Sequence, residues 1–172
     1  MIIIFTGNGK GKTTASLGQA MRSLGEGKKA IMIQFVKGPW ISGEDNFIKK
    51  FKTQILNFQI IKGGKGFVGI MDDRLPRATH KKAAKETLEL AQKIILSKKY
   101  DLIILDEVNV AVGLKLISEK DVLKVLKMAP QGIDVILTGR NAPKKFIDLA
   151  DIATEMKEIK YKFRPTKTGI EY

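Results

Sequence analysis

The hydrophobic positions of this chain fall into short continuous runs that are separated by longer amphipathic stretches. The apolar runs are rich in β-branched residues, which is typical of strands that are covered on both faces. These runs are residues 2–5, 30–35, 102–105 and 135–138. Residues 151–159 predict one more strand near the end of the chain.

Helices are predicted between these runs. Residues 12–25 and 80–98 have apolar positions at helical spacing, and one face of the second stretch carries Ala84, Leu88, Ala91 and Ile95. Residues 118–128 predict a further helix, because Ser118 is a good N-cap and an Asp follows three residues later. Pro143 indicates the start of another short helix.

Strands that alternate with helices, with no hairpin signal between them, predict an α/β fold in which helices cover both faces of a parallel sheet. Ligands of such sheets bind beyond the carboxyl ends of the strands. Four segments directly follow predicted strands, namely residues 6–14, 34–38, 106–107 and 138–140. We therefore expect these segments to meet at one rim of the sheet.

We expect residues 1–172 to form a single domain, since no internal repeat or linker divides them. Residues 36–79 are the irregular part of the sequence and contain several Gly and Pro residues. We interpret this stretch as a functional insertion, and a merely flexible loop is the alternative.

The composition is that of a soluble globular protein, with 44% hydrophobic and 28% charged residues. No apolar run approaches the roughly 18 residues that span a bilayer, so we expect a cytoplasmic protein without a membrane segment. The chain has no Cys, which excludes disulfides and thiolate metal sites.

The net charge of +13 raises the question of nucleic acid. Only five of the 31 basic residues are Arg, whereas bidentate recognition of phosphates and bases favours Arg over Lys. The lysines are scattered and are not interleaved with aromatic residues. We interpret them as a solvated surface, and attraction to a polyanion is the alternative.

A phosphate-binding loop is the strongest signal in the sequence. Residues 6–14 read Thr-Gly-Asn-Gly-Lys-Gly-Lys-Thr-Thr, and they follow a predicted strand and open a predicted helix. This context predicts a P-loop, with a P-loop NTPase-like sheet around it. We expect the triphosphate of ATP to lie on Thr6, Gly7, Asn8, Gly9, Lys10, Gly11, Lys12, Thr13 and Thr14. Thr6 stands where the general pattern has a Gly.

Two carboxylates end a buried strand at Asp106 and Glu107. A carboxylate at this position, together with the hydroxyl of Thr13, is a typical Mg²⁺ site of P-loop proteins. The sequence therefore predicts that Thr13, Asp106 and Glu107 hold Mg²⁺ directly or through water.

Three other residues leave alternatives open. Arg140 follows a strand and contacts either a phosphate or a surface carboxylate. Trp40 is either a hydrophobic lid or a plain packing residue. His80 is the only His, and we expect a solvent-facing structural role for it rather than catalysis. A nucleophile supplied by the protein therefore has little support.

The amino-acid sequences of the motifs and their order resemble one family of P-loop proteins, the cob(I)alamin or corrinoid adenosyltransferases. The resemblance covers residues 2–172. It rests on residues 6–14, Gln-Phe-Val-Lys-Gly at 34–38, Gly43-Glu44, Leu-Asp-Glu at 105–107, Thr-Gly-Arg at 138–140, Ala150-Asp151, Thr-Glu-Met at 154–156 and Gly-Ile-Glu-Tyr at 169–172.

The resemblance implies an enzyme that transfers the 5′-deoxyadenosyl group of ATP to cobalt(I) of cobalamin or a precursor and releases triphosphate. Cobalt(I) would be the nucleophile, while Lys12 and Phe67 position the reactants. It further implies Mg²⁺ at Thr13 and Glu107, Arg22 near the nucleotide, and corrinoid contacts by Phe67 and Trp40. A homodimer and a reductase that supplies electrons are the expected protein partners, and nucleic acid is not.

The sequence departs from the family pattern in three places. Family members carry an amino-terminal extension that covers the corrinoid, and this sequence begins at its first strand. Residues 66–69 read Gly-Phe-Val-Gly where the family has Gly-Phe-Thr-Trp-Glu, and Lys160-Tyr161 stands for Lys-His. The changes concern the corrinoid rather than ATP. The alternative is thus an ATP-binding regulator or chaperone of corrinoid or metal cofactor delivery, without adenosyl transfer.

Overall fold

Short parallel strands alternate with helices along the chain. The computed structural model describes residues 1–38, 40–51, 56–70, 73–162, 165 and 167–170. The strands in this part are β1 (Ile2–Thr6), β2 (Ala30–Gln34), β3 (Phe58–Lys62), β4 (Leu102–Asp106), β5 (Asp134–Thr138) and β6 (Ile152–Glu155). The helices are α1 (Lys12–Gly25), α2 (Gly43–Lys50), α3 (Arg77–Ser97), α4 (Val108–Gly113), α5 (Glu119–Lys127) and α6 (Lys144–Leu149).

The strands form one sheet in the order β3-β2-β4-β5-β1-β6, and all neighbouring pairs are parallel. Every residue of β2 and of β4 is buried, because these strands lie inside the sheet and are covered on both faces. The outermost strand β6 is exposed along its whole length. The continuous apolar runs of the sequence are thus the inner strands, as predicted.

Alternate residues of each inner strand contribute to two different cores. On one face, Ile31 and Ile33 pack with residues of α3, α4, α5 and α6. On the other face, Met32 packs in a smaller core with Ala20 of α1, and Ile48 of α2 lies against its edge. The predicted arrangement, a parallel sheet with helices on both faces, is confirmed.

The predicted helices agree closely with the structure. Helix α1 spans the predicted residues 12–25, and α6 begins directly after Pro143. The N-cap of α5 is Ser118, whose hydroxyl oxygen accepts the backbone N–H of Asp121 at 3.1 Å. The predicted last strand is shorter than residues 151–159, because its pairing with β1 ends at Glu155.

The prediction that residues 36–79 are irregular is wrong in part, since they contain α2 and β3. Helix α2 has no fully buried residue, so no apolar stripe marks it in the sequence. A capping box between Ser42 and Asp45 closes its amino end instead. Strand β3 is an edge strand with one buried residue, Phe58, and it depends on pairing with β2.

The expected surface position of His80 is also wrong. His80 is only 3% exposed and lies in the first turns of α3. The start of α3 packs against the preceding loop, and the sequence near Pro76 gives no apolar pattern that would reveal this contact. Helix α3 itself is long, yet no helix in the described part of the chain is long and apolar enough to cross a membrane.

The carboxyl ends of the inner strands meet at one rim, as predicted. Residues that follow β1, β2, β4 and β5 lie side by side there because the strands are parallel and nearly in register. The order across the rim is the loop after β2, then the end of β4, then the end of β5, and last the phosphate loop after β1.

Candidate functional site

The phosphate loop lies under the segment that follows β6. The N–H of Gly9 donates to the carbonyl oxygen of Met156 at 2.7 Å, and the N–H of Met156 donates to Thr6 at 2.8 Å. A Cβ on Gly7 would lie 2.4 Å from the Met156 carbonyl oxygen, and a Cβ on Gly9 would lie 2.8 Å from Lys157. Glycine is therefore required at both positions by close approach of another backbone.

The side chain of Lys12 lies inside the loop that precedes it. Its Nζ donates to the carbonyl oxygens of Gly7 at 2.9 Å and Gly9 at 2.6 Å, and the residue is only 7% exposed. Burial lowers the pKa of Lys12, an effect that the carboxylate of Glu107 offsets in part. The ammonium group is thus held where the loop can surround a phosphate.

Asp106 is the centre of the hydrogen-bond network at the rim, and it is fully buried. Its Oδ1 accepts the hydroxyl of Thr13 at 2.9 Å and the hydroxyl of Thr138 at 2.8 Å. Its Oδ2 accepts the side-chain amide of Gln34 at 3.2 Å. Asp106 thereby joins the start of α1 to the ends of β2 and β5.

Glu107 has an unusual environment beside Asp106. Its backbone is left-handed, with φ of 60°, and its N–H donates to the Thr138 hydroxyl at 2.8 Å. Burial, together with repulsion from Asp106, raises the pKa of Glu107 to about 7, although Lys12 opposes the rise. Two adjacent buried carboxylates repel each other unless a cation or a proton compensates.

An ion pair lies on the other side of Asp106. The Nζ of Lys37 is 2.5 Å from Oε1 of Glu44 in the first turn of α2, and it is 4.0 Å from Oδ2 of Asp106. Burial by itself would lower the pKa of Lys37, but the surrounding carboxylates outweigh burial and raise it. The same pair holds the pKa of Glu44 below its ordinary value despite burial. The ion pair thus links α2 to the strand that carries Asp106.

An aromatic pair lies at the end of the rim formed by the loops after β2 and β3. The ring centroids of Trp40 and Phe67 are 5.6 Å apart, with the planes inclined at 32°. The Trp40 ring covers Gly66, where a Cβ would lie 2.6 Å from Cη2. Trp40 is 53% exposed and Phe67 is half-buried. The pair offers an open apolar surface at this end of the rim.

Phe35, by contrast, is unable to join this aromatic pair. It is 1% exposed and belongs to the larger core. The backbone of Gly64 closes over Phe35 and Val36, so that a Cβ on Gly64 would lie 2.5 Å from Val36. Trp40 is therefore the residue that contributes an aromatic ring beside Phe67.

The remaining predicted nucleotide residues differ in their placement. Arg140 is exposed just after β5. Its charge adds to the lowering of the pKa of Lys12 by burial, and it opposes the rise that burial causes in the pKa of Glu107. Arg22 is exposed in the last turn of α1, about 15 Å along the helix axis from Lys12. The structure thus brings Arg140 to the phosphate loop but leaves Arg22 apart from it.

Within the loop, the side chains of residues 6–14 face different partners. The Thr6 hydroxyl accepts the N–H of Ala142 at 3.0 Å, so it fastens the loop after β5 to β1. The Nζ of Lys10 lies 4.4 Å from the ring centroid of Tyr161, beside a cavity of about 370 Å³. Asn8 and Thr14 are exposed. The phosphate contacts available to the loop therefore come mainly from its backbone and Lys12.

The donor set fits a hard divalent cation that phosphate oxygens help to ligate. Thr13 contributes a hydroxyl, and Asp106 and Glu107 contribute carboxylates, which are ligands that Mg²⁺ prefers. Among the described residues, no group of three His, Cys, Asp or Glu side chains could by itself hold a metal ion. The residues thus fit a cation that arrives with a nucleotide rather than a metal held by protein alone.

Sequence reasoning placed residues 34–38 at the rim but gave them no chemistry. Gln34 and Lys37 prove to be the partners of Asp106 and Glu44. The contact of Met156 with the phosphate loop was also missed. The position of Gln34 and Lys37 directly after a buried strand was the available signal, whereas the Met156 contact depends on the pairing of β6 with β1.

Comparison with known families identifies a match along the whole chain. The profile of the family described as "ATP:corrinoid adenosyltransferase BtuR/CobO/CobP" matches residues 1–172. The chain is 33% identical to "Corrinoid adenosyltransferase" of Escherichia coli (strain K12), over 100% of this chain and 85% of that protein. It is 35% identical to a protein of the same name from Sinorhizobium sp, over 100% of this chain and 80% of that protein.

A solved structure with a similar fold is that of a KaiC-like protein from Pyrococcus horikoshii OT3. The TM-score is 0.52 at 16% sequence identity, with 90% of this chain and 71% of that chain covered. At this identity the similarity concerns the fold alone. It supports the predicted α/β P-loop-like architecture.

Proposed function

The chain belongs to the ATP:corrinoid adenosyltransferase family, and we propose that its rim holds ATP and a reduced corrinoid side by side for adenosyl transfer. In this reaction the electron pair of cobalt(I) attacks C5′ of the ribose. The bond between C5′ and the triphosphate oxygen breaks, and its electrons leave with the triphosphate. The cobalt is formally oxidised to cobalt(III) as the cobalt–carbon bond forms.

The observation that carries this proposal is the arrangement of three features across one rim. The phosphate loop lies at one end, the carboxylates Asp106 and Glu107 lie in the middle, and the Trp40–Phe67 pair lies at the other end. An anionic leaving group and the apolar face of a corrin ring need surfaces of opposite character. This rim offers both, one next to the other.

The phosphate loop would stabilise the leaving triphosphate. Lys12, together with backbone N–H groups and the positive end of α1, supplies positive charge where negative charge develops. Arg140 adds a second cation from the end of β5. Since cobalt(I) is the nucleophile, the protein acts through positioning and electrostatics rather than through a nucleophilic side chain.

We assign Mg²⁺ to Thr13, Asp106 and Glu107. When bound there with the triphosphate, the ion would neutralise part of the leaving-group charge. Asp106 is already fixed by Thr138 and Gln34, so it is preorganised for this role. Burial and repulsion from Asp106 raise the pKa of Glu107, so a cation bound at this point would stabilise its ionised form.

We assign the corrinoid to the apolar surface of Trp40 and Phe67. This assignment follows the family resemblance at Phe67 and the contact of Trp40 with it. A homodimer and a reductase partner follow from the family resemblance and belong to the proposal as well, and a cytoplasmic location is proposed with them.

The decisive experiment mixes the protein with Mg-ATP and a chemically reduced corrinoid. We expect the cobalt(I) absorption to disappear and inorganic triphosphate to accumulate in equal amount. Release of ADP in step with corrinoid consumption would contradict the proposed bond cleavage. Tight ATP binding without any loss of cobalt(I) would favour a regulator of corrinoid delivery instead.

A second experiment addresses the corrinoid surface. Phe67→Ala should raise the KM for the corrinoid while leaving the Kd for ATP nearly unchanged, because Phe67 lies at the opposite end of the rim from the phosphate loop. The family has a Trp at the position of Gly69, which leaves this chain with less aromatic surface to displace the lower base of the corrinoid. We therefore expect slower turnover of a corrinoid with a strongly held lower base than of one without it. Equal kinetics on both corrinoids, with no effect of Phe67→Ala, would refute the assignment.

A further inference from the structure

The single histidine of the chain is buried against a carboxylate. Nε2 of His80 lies 3.1 Å from Oδ1 and 3.0 Å from Oδ2 of Asp73, and the two side chains are 2% and 8% exposed. Buried polar groups of this kind need partners, because neither group retains its water. Neither residue contacts the phosphate loop or the carboxylates Asp106 and Glu107, so the pair has a role other than nucleotide binding.

The side chain of Asp73 accepts hydrogen bonds from backbone amides before α3. Its Oδ2 accepts the N–H of Gly69 at 2.8 Å, and its Oδ1 accepts the N–H of Leu75 at 3.1 Å. These two amides, with His80 as a smaller contribution, hold the pKa of Asp73 below its ordinary value, so it remains a carboxylate. Its own N–H donates to the carbonyl oxygen of Ile70 at 3.2 Å. The side chain of Asp73 therefore joins Gly69 and Leu75 to His80.

The helix that carries His80 is a firm support. Helix α3 has 21 residues, and its inner face is packed into the larger core. The residues that anchor it there are Ala84, Leu88, Ala91 and Ile95. A loop fastened to the first turns of such a helix is held relative to the whole sheet.

The other end of the same loop is fixed beneath Trp40. Gly66 donates its N–H to the carbonyl oxygen of Val36 at 3.0 Å, and the Trp40 ring covers its Cα. Phe67 thus lies between two fixed points, Gly66 on one side and Gly69 on the other. Only Val68 separates Phe67 from the residue that Asp73 binds.

We propose that the Asp73–His80 pair is a positioning element for corrinoid binding. The pair fixes the chain on the carboxyl side of Phe67, as Gly66 does on the amino side, and so keeps the Phe67 ring against Trp40. The proposal rests on the corrinoid assignment of Phe67 and Trp40 given above. Without the pair, Gly69 and Leu75 are no longer held to α3 through the side chain of Asp73. The Phe67 ring would then sample more orientations, and the corrinoid would have to order it on binding.

Trp40 provides a direct measurement because it is the only Trp of the chain. The variants are His80→Ala, His80→Gln, which can restore a hydrogen-bond donor, and Asp73→Asn, which can still accept from the two amides. The control is Lys82→Ala, an exposed position two residues further along α3. For each folded variant we would measure acrylamide quenching of Trp40, the KM and kcat for a reduced corrinoid, and the Kd for Mg-ATP.

We expect His80→Ala to increase the quenching of Trp40 and to raise the corrinoid KM by about tenfold, as for the loss of a charged hydrogen bond. His80→Gln and Asp73→Asn should have smaller effects in the same direction. The Kd for Mg-ATP should stay within about twofold of wild type, because the phosphate loop lies at the opposite end of the rim. Lys82→Ala should leave all three quantities unchanged.

The comparison with Phe67→Ala separates this inference from the corrinoid assignment. If Phe67→Ala raises the corrinoid KM while His80→Ala leaves both the KM and the quenching of Trp40 at wild-type values, the positioning role is wrong. Increased quenching without any change in KM would overturn it equally. If Phe67→Ala has no effect on the corrinoid either, the corrinoid assignment itself fails.

Discussion

Asp106 joins the two halves of the rim through its two carboxylate oxygens. Oδ1 faces the phosphate loop through Thr13, whereas Oδ2 faces Gln34 and lies near Lys37. A cation bound at Oδ1 would therefore change the electrostatic environment of Lys37 and of its partner Glu44 at the start of α2. Single residues at this centre should affect nucleotide binding far more than residues at the surface.

Lys12→Ala and Thr13→Ala test the nucleotide site at this scale. Each change removes a charge-assisted phosphate contact or a hydroxyl that the Mg²⁺ site uses, worth about 1.5–3 kcal/mol. We expect ATP affinity or turnover to fall by roughly 10- to 150-fold, measured by titration with Mg-ATP. Lys127→Ala, an exposed position at the end of α5, is the control. Unchanged ATP binding in both loop variants would refute the assignment.

Glu107 predicts a pH dependence of stability in the absence of Mg²⁺ and ATP. Its pKa is about 7 in the folded protein and 4.5 as the ordinary value, so between these pH values the folded state binds more protons than the unfolded state. The free energy of unfolding must then fall as pH rises through this window, by about 3 kcal/mol in total, and level off above pH 7.

Glu107→Gln should remove this dependence, because Gln does not titrate. We would measure the free energy of unfolding by urea for both proteins near pH 5 and pH 8, where the other carboxylates are ionised. The variant should gain stability over wild type at the higher pH, and Mg-ATP should abolish the gain. A difference between the two proteins that is the same at both pH values would show that Glu107 has an ordinary pKa.

At the scale of elements, β6 and the phosphate loop depend on each other. The loop residues Gly7 and Gly9 leave room for the backbone of Met156 and Lys157, and β6 in turn is paired only with β1. Ordering the loop therefore orders the segment after β6 as well. We therefore expect a change in the phosphate loop to affect the segment after β6 as well.

Gly9→Ala should break this contact. A Cβ at Gly9 would lie 2.8 Å from backbone atoms of Met156 and Lys157, and backbone yields less readily than a flexible side chain. We expect a loss of stability of about 1–3 kcal/mol, as for other overpacked sites, together with weaker ATP binding. Gly18→Ala is the matched control, because nothing lies within 4 Å of its Cβ inside α1. That variant should gain about 0.5–1 kcal/mol. Equal thermal unfolding of the two variants would contradict the role of Gly9.

The same scale shows what the sequence could and could not predict. The inner strands and α1 were predictable, because burial on both faces and the phosphate-loop pattern leave local signals. Strand β3 was missed because an edge strand with one buried residue has no continuous apolar run. The Asp73–His80 contact and the Lys37–Glu44 pair each join a loop residue to the helix that follows it, so they depend on the path of the loop between them. Side-chain types alone do not specify such pairings.

At the scale of the whole molecule, the net charge of +13 is distributed among lysines that have acidic neighbours. The groove between α3 and α5, a cavity of about 1020 Å³, is an example. It is lined by Lys81, Lys82, Lys85, Lys115 and Lys124 together with Glu89, Glu119 and Asp121. Alternating signs of charge favour solvation of the surface over a continuous track for a phosphate backbone.

Binding to duplex DNA tests this distribution of charge. Contacts made by hydrated lysines release counterions without reading bases, so we expect weak binding that falls about tenfold or more between 50 and 200 mM salt. Lys81→Gln, Lys82→Gln and Lys85→Gln combined should lower the salt slope by at most about 3, because each phosphate contact contributes close to one unit.

The same triple variant should bind Mg-ATP as wild type does, because these lysines lie on α3 and not at the rim. Fluorescence anisotropy with two duplexes of unrelated sequence provides the measurement. Submicromolar binding near physiological salt, with a preference for one of the two duplexes, would contradict the interpretation of the lysines as a solvated surface. The basic surface would then be a site that recognises nucleic acid.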